Sequence, residues 1–255
     1  MTTGEITTEI EERAQGRVAR VTVDNAGRAN CLSSHLVEGL RDAFRDLAGD
    51  DGLRLAVLTG AGERSFMAGA DLEELRDFNS ESARAYITTL TQANTAIRDL
   101  PVIARINGAC FGAGLEVAAS CDIRIASAGA RLGMPEVLFD LPSVVEAALF
   151  PRLIGWGRTA WLLYRGDAID ATMALAWGMV EKVVPLAELD AAVEETVATI
   201  AANGPAGIRL QKKLMRDWER LPIEDGIRAG VEALASAFEV GEPGKRIQAY
   251  FDAKG

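Results

Sequence analysis

Apolar positions in the first half of the chain alternate between two spacings, which predict strands and helices in turn. The valine-rich run 17–23 is typical of a strand, as are 54–60, which ends at Gly60, and 102–106, which follows Pro101. Helical spacing between these strands predicts a helix over about 34 to 48, carrying Leu36, Leu40, Phe44 and Leu47, and a second that carries Ala83, Tyr86, Ile87, Leu90, Ala93 and Ile97. This order of elements favours an α/β fold with parallel strands and crossover helices.

The pattern changes after Pro185, where helical spacing continues and strand patterns are lacking. Two helices are marked by Leu189, Val193, Val197 and Ile200, and by Ile223, Ile227, Val231, Leu234 and Phe238. We therefore predict two parts, a core over 1–188 and a helical C-terminal region over 189–255.

Composition narrows the range of functions. Among 255 residues, 27 Lys and Arg stand against 37 Asp and Glu, a formal net charge of −10, which argues against nucleic acid or a membrane surface as partner. No stretch approaches the roughly 18 apolar residues of a spanning helix, and the polar N-terminus does not resemble a signal peptide. The three cysteines lack CxxC spacing, so we expect free thiols and a cytoplasmic protein.

Two glycine-rich loops each follow a predicted strand and precede a predicted helix, at 67–75 (MAGADLEEL) and 108–118 (GACFGAGLEVA). Such loops present backbone N–H groups at a helix N-terminus, where negative charge is favoured. The second loop lacks the Lys-Ser/Thr of a phosphate loop and the acidic residue of a dinucleotide site. Two loops together could direct two N–H donors at one oxyanion, as acyl and thioester chemistry requires.

Two glutamates lie beside these loops. Glu116 lies in the apolar run 108–122, where an isolated carboxylate is costly to bury unless it is paired, hydrogen-bonded or protonated. Glu136 follows Pro135, and its alternative interpretation is an acid favoured by a helix N-terminus. The only histidine, His35, lies at a predicted helix start, so neither a histidine triad nor a histidine-rich metal site is expected. The two glutamates are therefore the best general acid–base candidates.

These segments resemble the crotonase (enoyl-CoA hydratase/isomerase) superfamily. SFMAGADLEEL after VLTGAGERS, and INGACFGAGLEVAASCDIRIAS, resemble its two signature segments. RANCLSSHLVEGLRDAF, LGMPE and GKRIQAYFDAK resemble its N-terminal segment, its second acidic motif and its C-terminal helix, so the resemblance spans nearly the whole chain in order. It implies a spiral of ββα units with a C-terminal helical region that forms trimers, often paired into hexamers.

The resemblance also implies a set of site residues. The backbone N–H groups of Ala70 and Ala113 would hold the thioester oxygen, and Glu116 and Glu136 would be the catalytic acids that hold a water. Residues implied to bind substrate or CoA are Arg28, Asn30, Leu32, Arg64, Ala68, Gly69, Asp71, Leu72 and Gly112. Arg64 would lie near the CoA phosphates, with an exposed loop arginine as the alternative interpretation. No cofactor beyond the CoA of the substrate, and no metal, is implied.

Two positions depart from the family pattern. The loop after the second glutamate, which borders the acyl pocket in hydratases, is one residue shorter and lacks glycines over 140–146. This loop contains Glu146, which we interpret either as a third acid near the site or as a glutamate on a helix surface or in the N-terminal turn of a helix. Glu73 stands where a lysine near CoA is frequent.

The leading hypothesis is hydration of a 2-enoyl-CoA to a 3-hydroxyacyl-CoA, because both glutamates are retained. The alternative is another reaction of the superfamily on acyl-CoA, namely Δ3,Δ2-isomerisation, decarboxylation, or thioester or C–C hydrolysis, which the altered 140–146 loop favours. A non-catalytic or RNA-binding role is disfavoured by the net charge. The expected partners are an acyl-CoA and further copies of the chain in a homotrimer or homohexamer.

Overall fold

A computed structural model of the protein describes residues 4–239 and 241–254. The outermost residues of the two predicted parts, 1–3 and 255, lie outside this range. The strands are β1 Glu5–Arg13, β2 Gly16–Asp24, β3 Leu53–Gly60, β4 Ser65–Met67, β5 Val102–Ile106, β6 Ala109–Phe111, β7 Ile123–Ser127, β8 Arg131–Gly133, β9 Ile169–Asp170 and β10 Lys182–Val184.

Helices occupy most of the remaining chain. The α-helices are α1 Ser34–Ala48, α2 Leu72–Arg76, α3 Ser80–Arg98, α4 Ala113–Ser120, α5 Phe150–Ile154, α6 Trp156–Arg165, α7 Ala171–Trp177, α8 Leu189–Ala201, α9 Pro205–Trp218, α10 Ile223–Glu239 and α11 Glu242–Asp252. Short 3-10 helices cover Ala26–Arg28, Glu136–Phe139, Val145–Leu149 and Leu186–Glu188. The predicted helix over 34 to 48 and the three predicted strands are confirmed, each within one residue at either end.

The strands form two sheets that the chain visits in turn. The larger has the order β1-β2-β3-β5-β7-β10, with β1 antiparallel to β2 and the other pairs parallel. The smaller has the order β4-β6-β8-β9, with β4, β6 and β8 parallel and β9 antiparallel. The pairs β3–β4, β5–β6 and β7–β8 each place one strand in either sheet, and a helix follows the first two. This arrangement confirms the predicted spiral of ββα units.

Strand β1 was not predicted from the sequence. Its segment, EITTEIEER, carries charge on both faces and has little apolar alternation, because it is an edge strand paired only with β2. The strand is held by antiparallel backbone hydrogen bonds to β2, in the register Glu5↔Asp24 to Arg13↔Gly16. The side-chain pattern of the segment gives no sign of this pairing.

Both faces of the larger sheet are covered by helices. Alternate residues of β3 point to opposite sides, so that Ala56 and Leu58 join the core under α1 and α3. Leu55 and Val57 face α8, which buries Leu189, Ala192, Val193, Val197 and Ala201 against the sheet. The predicted boundary between 188 and 189 therefore falls just before a helix that packs on the core, and the division into two parts stays a prediction.

The helices after α8 leave a long apolar stripe in contact with solvent. Along α10 the side chains of Ile223, Ile227, Val231, Leu234 and Phe238 are between 57% and 78% exposed. No described helix is both long and apolar enough to cross a membrane. Cys31, Cys110 and Cys121 are free thiols, as predicted.

A buried arginine ties β7 to the segment before β10. The Arg124 guanidinium donates to the carbonyl oxygens of Met179 (2.8 Å) and Cys121 (2.7 Å) and to the Glu181 carboxylate (2.5 Å), with only 3% of the residue exposed. Its side chain therefore satisfies two backbone carbonyls that water does not reach.

Replacing this arginine tests that link. Arg124→Met should lower the free energy of unfolding by about 3 kcal/mol, because it leaves two buried carbonyl oxygens without their donor and removes the ion pair with Glu181, which keeps only the backbone N–H of residue 124. Urea denaturation measures the change. The control is Arg131→Met, which removes an exposed arginine with one carbonyl contact, to Ala168, and should change stability little. Equal stability losses in the two variants would contradict the role given to Arg124.

Candidate active site

The two glycine-rich loops meet because the strands before them pair in parallel. β4 pairs with β6 through Ser65↔Ala109 and Met67↔Cys110, so both strands end at the same edge of the smaller sheet. A Cβ placed on Gly112 would lie 3.7 Å from the Cα of Gly69, which shows how closely the loops approach. The sequence predicted each loop, and the sheet brings them together.

Each loop leaves one backbone N–H without an acceptor. Leu32 donates to the Gly69 carbonyl (2.8 Å) and Asp71 donates to the Leu32 carbonyl (3.0 Å), and this pattern skips the Ala70 N–H. Ala113 is the first residue of α4, where the N–H has no intrahelical partner. Across residues 4–239 and 241–254, neither N–H donates a hydrogen bond. The site thus holds two unused donors of the kind that stabilise an oxyanion.

Glu116 occupies the first turn of α4 and is buried, with 3% of the residue exposed. Its Oε1 atom has no hydrogen-bond partner among the described residues. Burial raises the pKa of Glu116 well above its usual value, and the nearby carboxylates of Glu136 and Glu146 raise it further. A carboxyl group with these surroundings exchanges a proton nearer to neutral pH than an exposed glutamate does.

Glu136 begins the 3-10 helix Glu136–Phe139 and is half-buried. The Ser143 hydroxyl donates to its Oε2 atom (3.0 Å). Burial raises the pKa of Glu136, while its own backbone N–H and the Ser143 hydroxyl partly offset that rise. Its Oε1 atom reaches the loop of Gly112, since a Cβ there would lie 2.5 Å away. The two predicted glutamates therefore share one site.

Glu146 lies inside the protein rather than on a helix surface, so the surface interpretation is wrong. It belongs to the 3-10 helix Val145–Leu149, which packs against α4, and only 6% of the residue is exposed. Asn94 donates to its Oε2 atom (2.5 Å), and the Arg98 guanidinium lies 3.6 Å from its Oε1 atom. The available signal was the apolar run Val-Val-Glu-Ala-Ala-Leu around it, which is unusual for a surface helix.

The two segments predicted to bind CoA lie side by side. The backbone bridge between Leu32 and Ala70 joins 28–32 to 68–72, and the Ala68 N–H donates to the Ala29 carbonyl (3.1 Å). The side chain of Leu72 is 53% exposed, and Gly69 and Gly112 are buried in the adjoining loops. This edge presents backbone as well as side chains to a ligand.

Three polar residues of that set serve the protein itself. Asn30 is fully buried, and its amide donates to the carbonyl oxygens of Ala61 (3.0 Å) and Ser65 (2.9 Å). Asp71 caps the N-terminus of α2, and its carboxylate forms an ion pair with the Arg28 guanidinium at 2.9 Å. The sequence did not reveal the carbonyl partners of Asn30 or the ion pair between Arg28 and Asp71, because those partners lie far apart along the chain.

Charge near this edge is divided between two arginines. Arg28 also contacts Glu73 (2.9 Å), so two carboxylates already neutralise it. Arg64 is exposed and has no ion-pair partner among the residues that the structure describes. Arg64 is therefore the freer cation of the two.

Comparison with known proteins agrees with this geometry. A family described as enoyl-CoA hydratase/isomerase matches residues 13–254. The chain is 32% identical to a short-chain-enoyl-CoA hydratase of Clostridium acetobutylicum, over 93% of this chain and 92% of the relative. It is 29% identical to a crotonyl-CoA hydratase of Syntrophomonas wolfei, over 92% of each. The crystal structure of an enoyl-CoA hydratase from Bacillus anthracis superposes with a TM-score of 0.92 at 31% identity, covering 97% of this chain and 96% of that one.

The position of Gly112 yields a test of the site's packing. Its φ is +51°, which side chains rarely adopt, and an added Cβ would press on Glu136 Oε1. Gly112→Ala should therefore lower the free energy of unfolding by about 1–3 kcal/mol in urea denaturation. Gly157→Ala is the matched control, since a Cβ there meets nothing within 4 Å. A Gly112→Ala protein as stable as this control would show that the loop has room.

Proposed function

Because this chain belongs to the enoyl-CoA hydratase/isomerase family, we propose that it adds water across the double bond of a 2-enoyl-CoA to give the 3-hydroxyacyl-CoA. The observation that carries the proposal is the meeting of two unused N–H donors, at Ala70 and Ala113, with the carboxyl groups of Glu116 and Glu136. The relatives named as enoyl-CoA hydratases, matched over most of the chain, support an enzyme of this kind.

In the proposed reaction the thioester oxygen accepts hydrogen bonds from the Ala70 and Ala113 N–H groups. Water attacks Cβ, the double-bond electrons move toward the thioester, and the oxygen gains enolate charge where the two donors lie. Donors fixed in place before the reaction stabilise that charge without reorganising, and one such donor is typically worth about 10²–10³ in rate.

Glu116 and Glu136 supply the proton chemistry. One carboxylate takes a proton from the attacking water, and the other carboxyl group delivers a proton to Cα, so that one H and one OH are added. Two neighbouring carboxyl groups disfavour full ionisation, and burial raises the pKa of each. This situation suits a pair that holds one proton between its two members. The proposed reaction needs neither a metal nor a cofactor beyond the CoA of the substrate.

CoA would lie along the edge formed by 28–32 and 68–72, with the backbone approached closely near Gly69. The exposed and unpaired Arg64 is the cation proposed to face the CoA phosphates, since Arg28 is neutralised by two carboxylates. The free cysteines support a reducing compartment, and we include a cytoplasmic location in the proposal.

The second candidate is Δ3,Δ2-isomerisation of an enoyl-CoA. It is favoured by the buried Glu146, which adds a third acid close to Glu116, and by the loss of glycines over 140–146. Isomerisation moves a proton between two carbons and requires no water. The same oxyanion donors would serve it.

Glu116→Gln and Glu136→Gln should each lower kcat for crotonyl-CoA hydration by at least about a hundredfold, because an amide can neither take up nor deliver the proton. The absorbance of the conjugated thioester reports the reaction. The control is Glu38→Gln, which changes an exposed glutamate on α1 and should leave kcat unchanged. A wild-type protein that binds the thioester but does not hydrate it would overturn the proposal and direct the search to isomerisation of 3-enoyl-CoA.

We also propose that the exposed stripe on α10 is the contact through which copies of the chain assemble, as trimers or hexamers. Five large apolar side chains on one helix face form more exposed apolar surface than a lone chain usually carries.

Light scattering after size-exclusion chromatography should give three or six times the chain mass of 27.2 kDa. The double variant Ile227→Glu/Leu234→Glu should shift the mass toward that of one chain, because the contact would bury unpaired charge. Glu232→Gln, at another exposed position of α10, is the control. A wild-type protein with the mass of one chain would refute the proposed assembly.

A further inference from the structure

Glu146 is a buried carboxylate that the proposed hydration does not use. Its side chain accepts from Asn94 (2.5 Å) and lies 3.6 Å from the Arg98 guanidinium. Both partners lie on α3. Burial raises the pKa of Glu146, and Asn94 and Arg98 offset that rise in part because they stabilise the ionised form. Helix α3 thus supplies two side chains that contact the Glu146 carboxylate next to α4.

The cation that pairs with Glu146 is shared. Arg98 also forms a closer ion pair with Glu219, the residue that follows α9, and Glu219 accepts from Arg216 at 2.7 Å. Because Arg98 divides its charge between two carboxylates, it neutralises Glu146 only in part, and Arg216, which also pairs with Glu219, adds positive charge nearby. The remaining negative charge of Glu146 is felt by its neighbours in the interior, where screening is weak.

The neighbour most affected is Glu116. The Val145–Leu149 helix packs against α4, and the backbone groups of Val144 and Ala147, which flank Glu146, face the Glu116 carboxyl group. Glu116 Oε1 has no partner of its own within the described residues, while the backbone groups of Val144 and Ala147 lower the pKa of the carboxyl group in part. The pKa of Glu116 is raised first by burial, then by Glu136 and then by Glu146.

Asp122 and Arg124 follow the C-terminal end of α4 and form ion pairs with Lys212 and Glu181. Two other titratable groups beside α4 carry no charge near neutral pH. Tyr86 on α3 donates to the Leu32 carbonyl (2.9 Å), and burial raises its pKa. Burial likewise raises the pKa of the Cys110 thiol on β6. The charges that face Glu116 are therefore those of Glu136 and Glu146, while Arg98, Arg216 and Glu219 surround Glu146 from α3 and the end of α9.

The backbone next to Glu146 is strained. Val145 has a φ of +37°, a conformation that β-branched residues rarely adopt and that costs about 1–3 kcal/mol. The preceding Val144 is extended, with φ −130° and ψ −158°. This abrupt change of direction turns the Glu146 side chain inward, toward Asn94 and Arg98.

We propose that Glu146 is a positioning residue for the proposed hydration: held by Asn94 and Arg98, its charge raises the pH at which Glu116 exchanges its proton. This inference rests on the proposed function for its purpose, since Glu116 is there a member of the acid–base pair. A like charge disfavours ionisation of Glu116, so removal of that charge lets Glu116 ionise at a lower pH.

The test is Glu146→Gln, followed by two measurements. Infrared difference spectroscopy follows the carbonyl band of the protonated Glu116 carboxyl across pH in the free protein, with Glu116→Gln to assign the band. The pH dependence of kcat for crotonyl-CoA is recorded in parallel. Both titrations should move to lower pH by about one unit or more, as is typical when a neighbouring like charge is removed. Glu38→Gln, on the exposed side of α1, should move neither.

Arg98 keeps Glu219 as a partner in Glu146→Gln, which favours a folded protein; a thermal melt checks this. Glu219→Gln is a second variant, at a side chain that is 35% exposed. It frees Arg98 to neutralise Glu146 more fully, so Glu116 should again titrate at lower pH, by a smaller amount.

An unchanged Glu116 titration in both variants would overturn the inference, even if activity fell. An inert wild-type protein would instead refute the hydration, and the infrared titration, which needs no turnover, would still decide the role of Glu146.

Discussion

The parallel pairing of β4 with β6 is the contact on which the rest of the site depends. It places the ends of both strands at one edge, and α4 then has to start within van der Waals reach of β4. A Cβ on Gly114 would lie 2.2 Å from the Met67 carbonyl oxygen, so that position tolerates only glycine. The Gly/Ala-rich composition of 108–118 follows from this close packing, and the unpaired N–H groups of Ala70 and Ala113 follow from where the two loops end.

That same packing explains how a carboxylate comes to lie in the core. Glu116 is carried on the buried first turn of α4, where the N-terminal end of the helix favours negative charge but water is excluded. Its burial raises the pKa of its carboxyl group, and the neighbouring Glu136 and Glu146 act in the same direction. Within this acidic cluster Glu146 is partly neutralised by Arg98, which also pairs with Glu219. The Arg98 guanidinium therefore links the site to Glu219 at the end of α9. The next helix, α10, carries the exposed apolar stripe.

Much of this was open to prediction because the information is local. Helical spacing located α1 and α10, short apolar runs located β2, β3 and β5, and glycine clusters located the two loops. The candidate glutamates could be chosen because the chain offers one histidine and places a carboxylate within an apolar run. Buried side chains on a helix or strand recur at a fixed spacing along the sequence. This spacing can be recognised without knowing which distant residues they contact.

Other features depend on partners that are far away along the chain. Edge strand β1 is held by its pairing with β2. The Asn30 amide donates to the carbonyl oxygens of Ala61 and Ser65, and Glu146 accepts a hydrogen bond from Asn94 in the interior. A sequence pattern states whether a position is buried, but not which groups it meets there. By itself the sequence determined helices α1, α3, α8 and α10, strands β2, β3 and β5, the two glycine-rich loops and the acid–base candidates. Only the tertiary structure decided which strands pair, and hence that the two glycine-rich loops meet, because hydrogen-bond pairing between distant strands leaves no periodicity in either one.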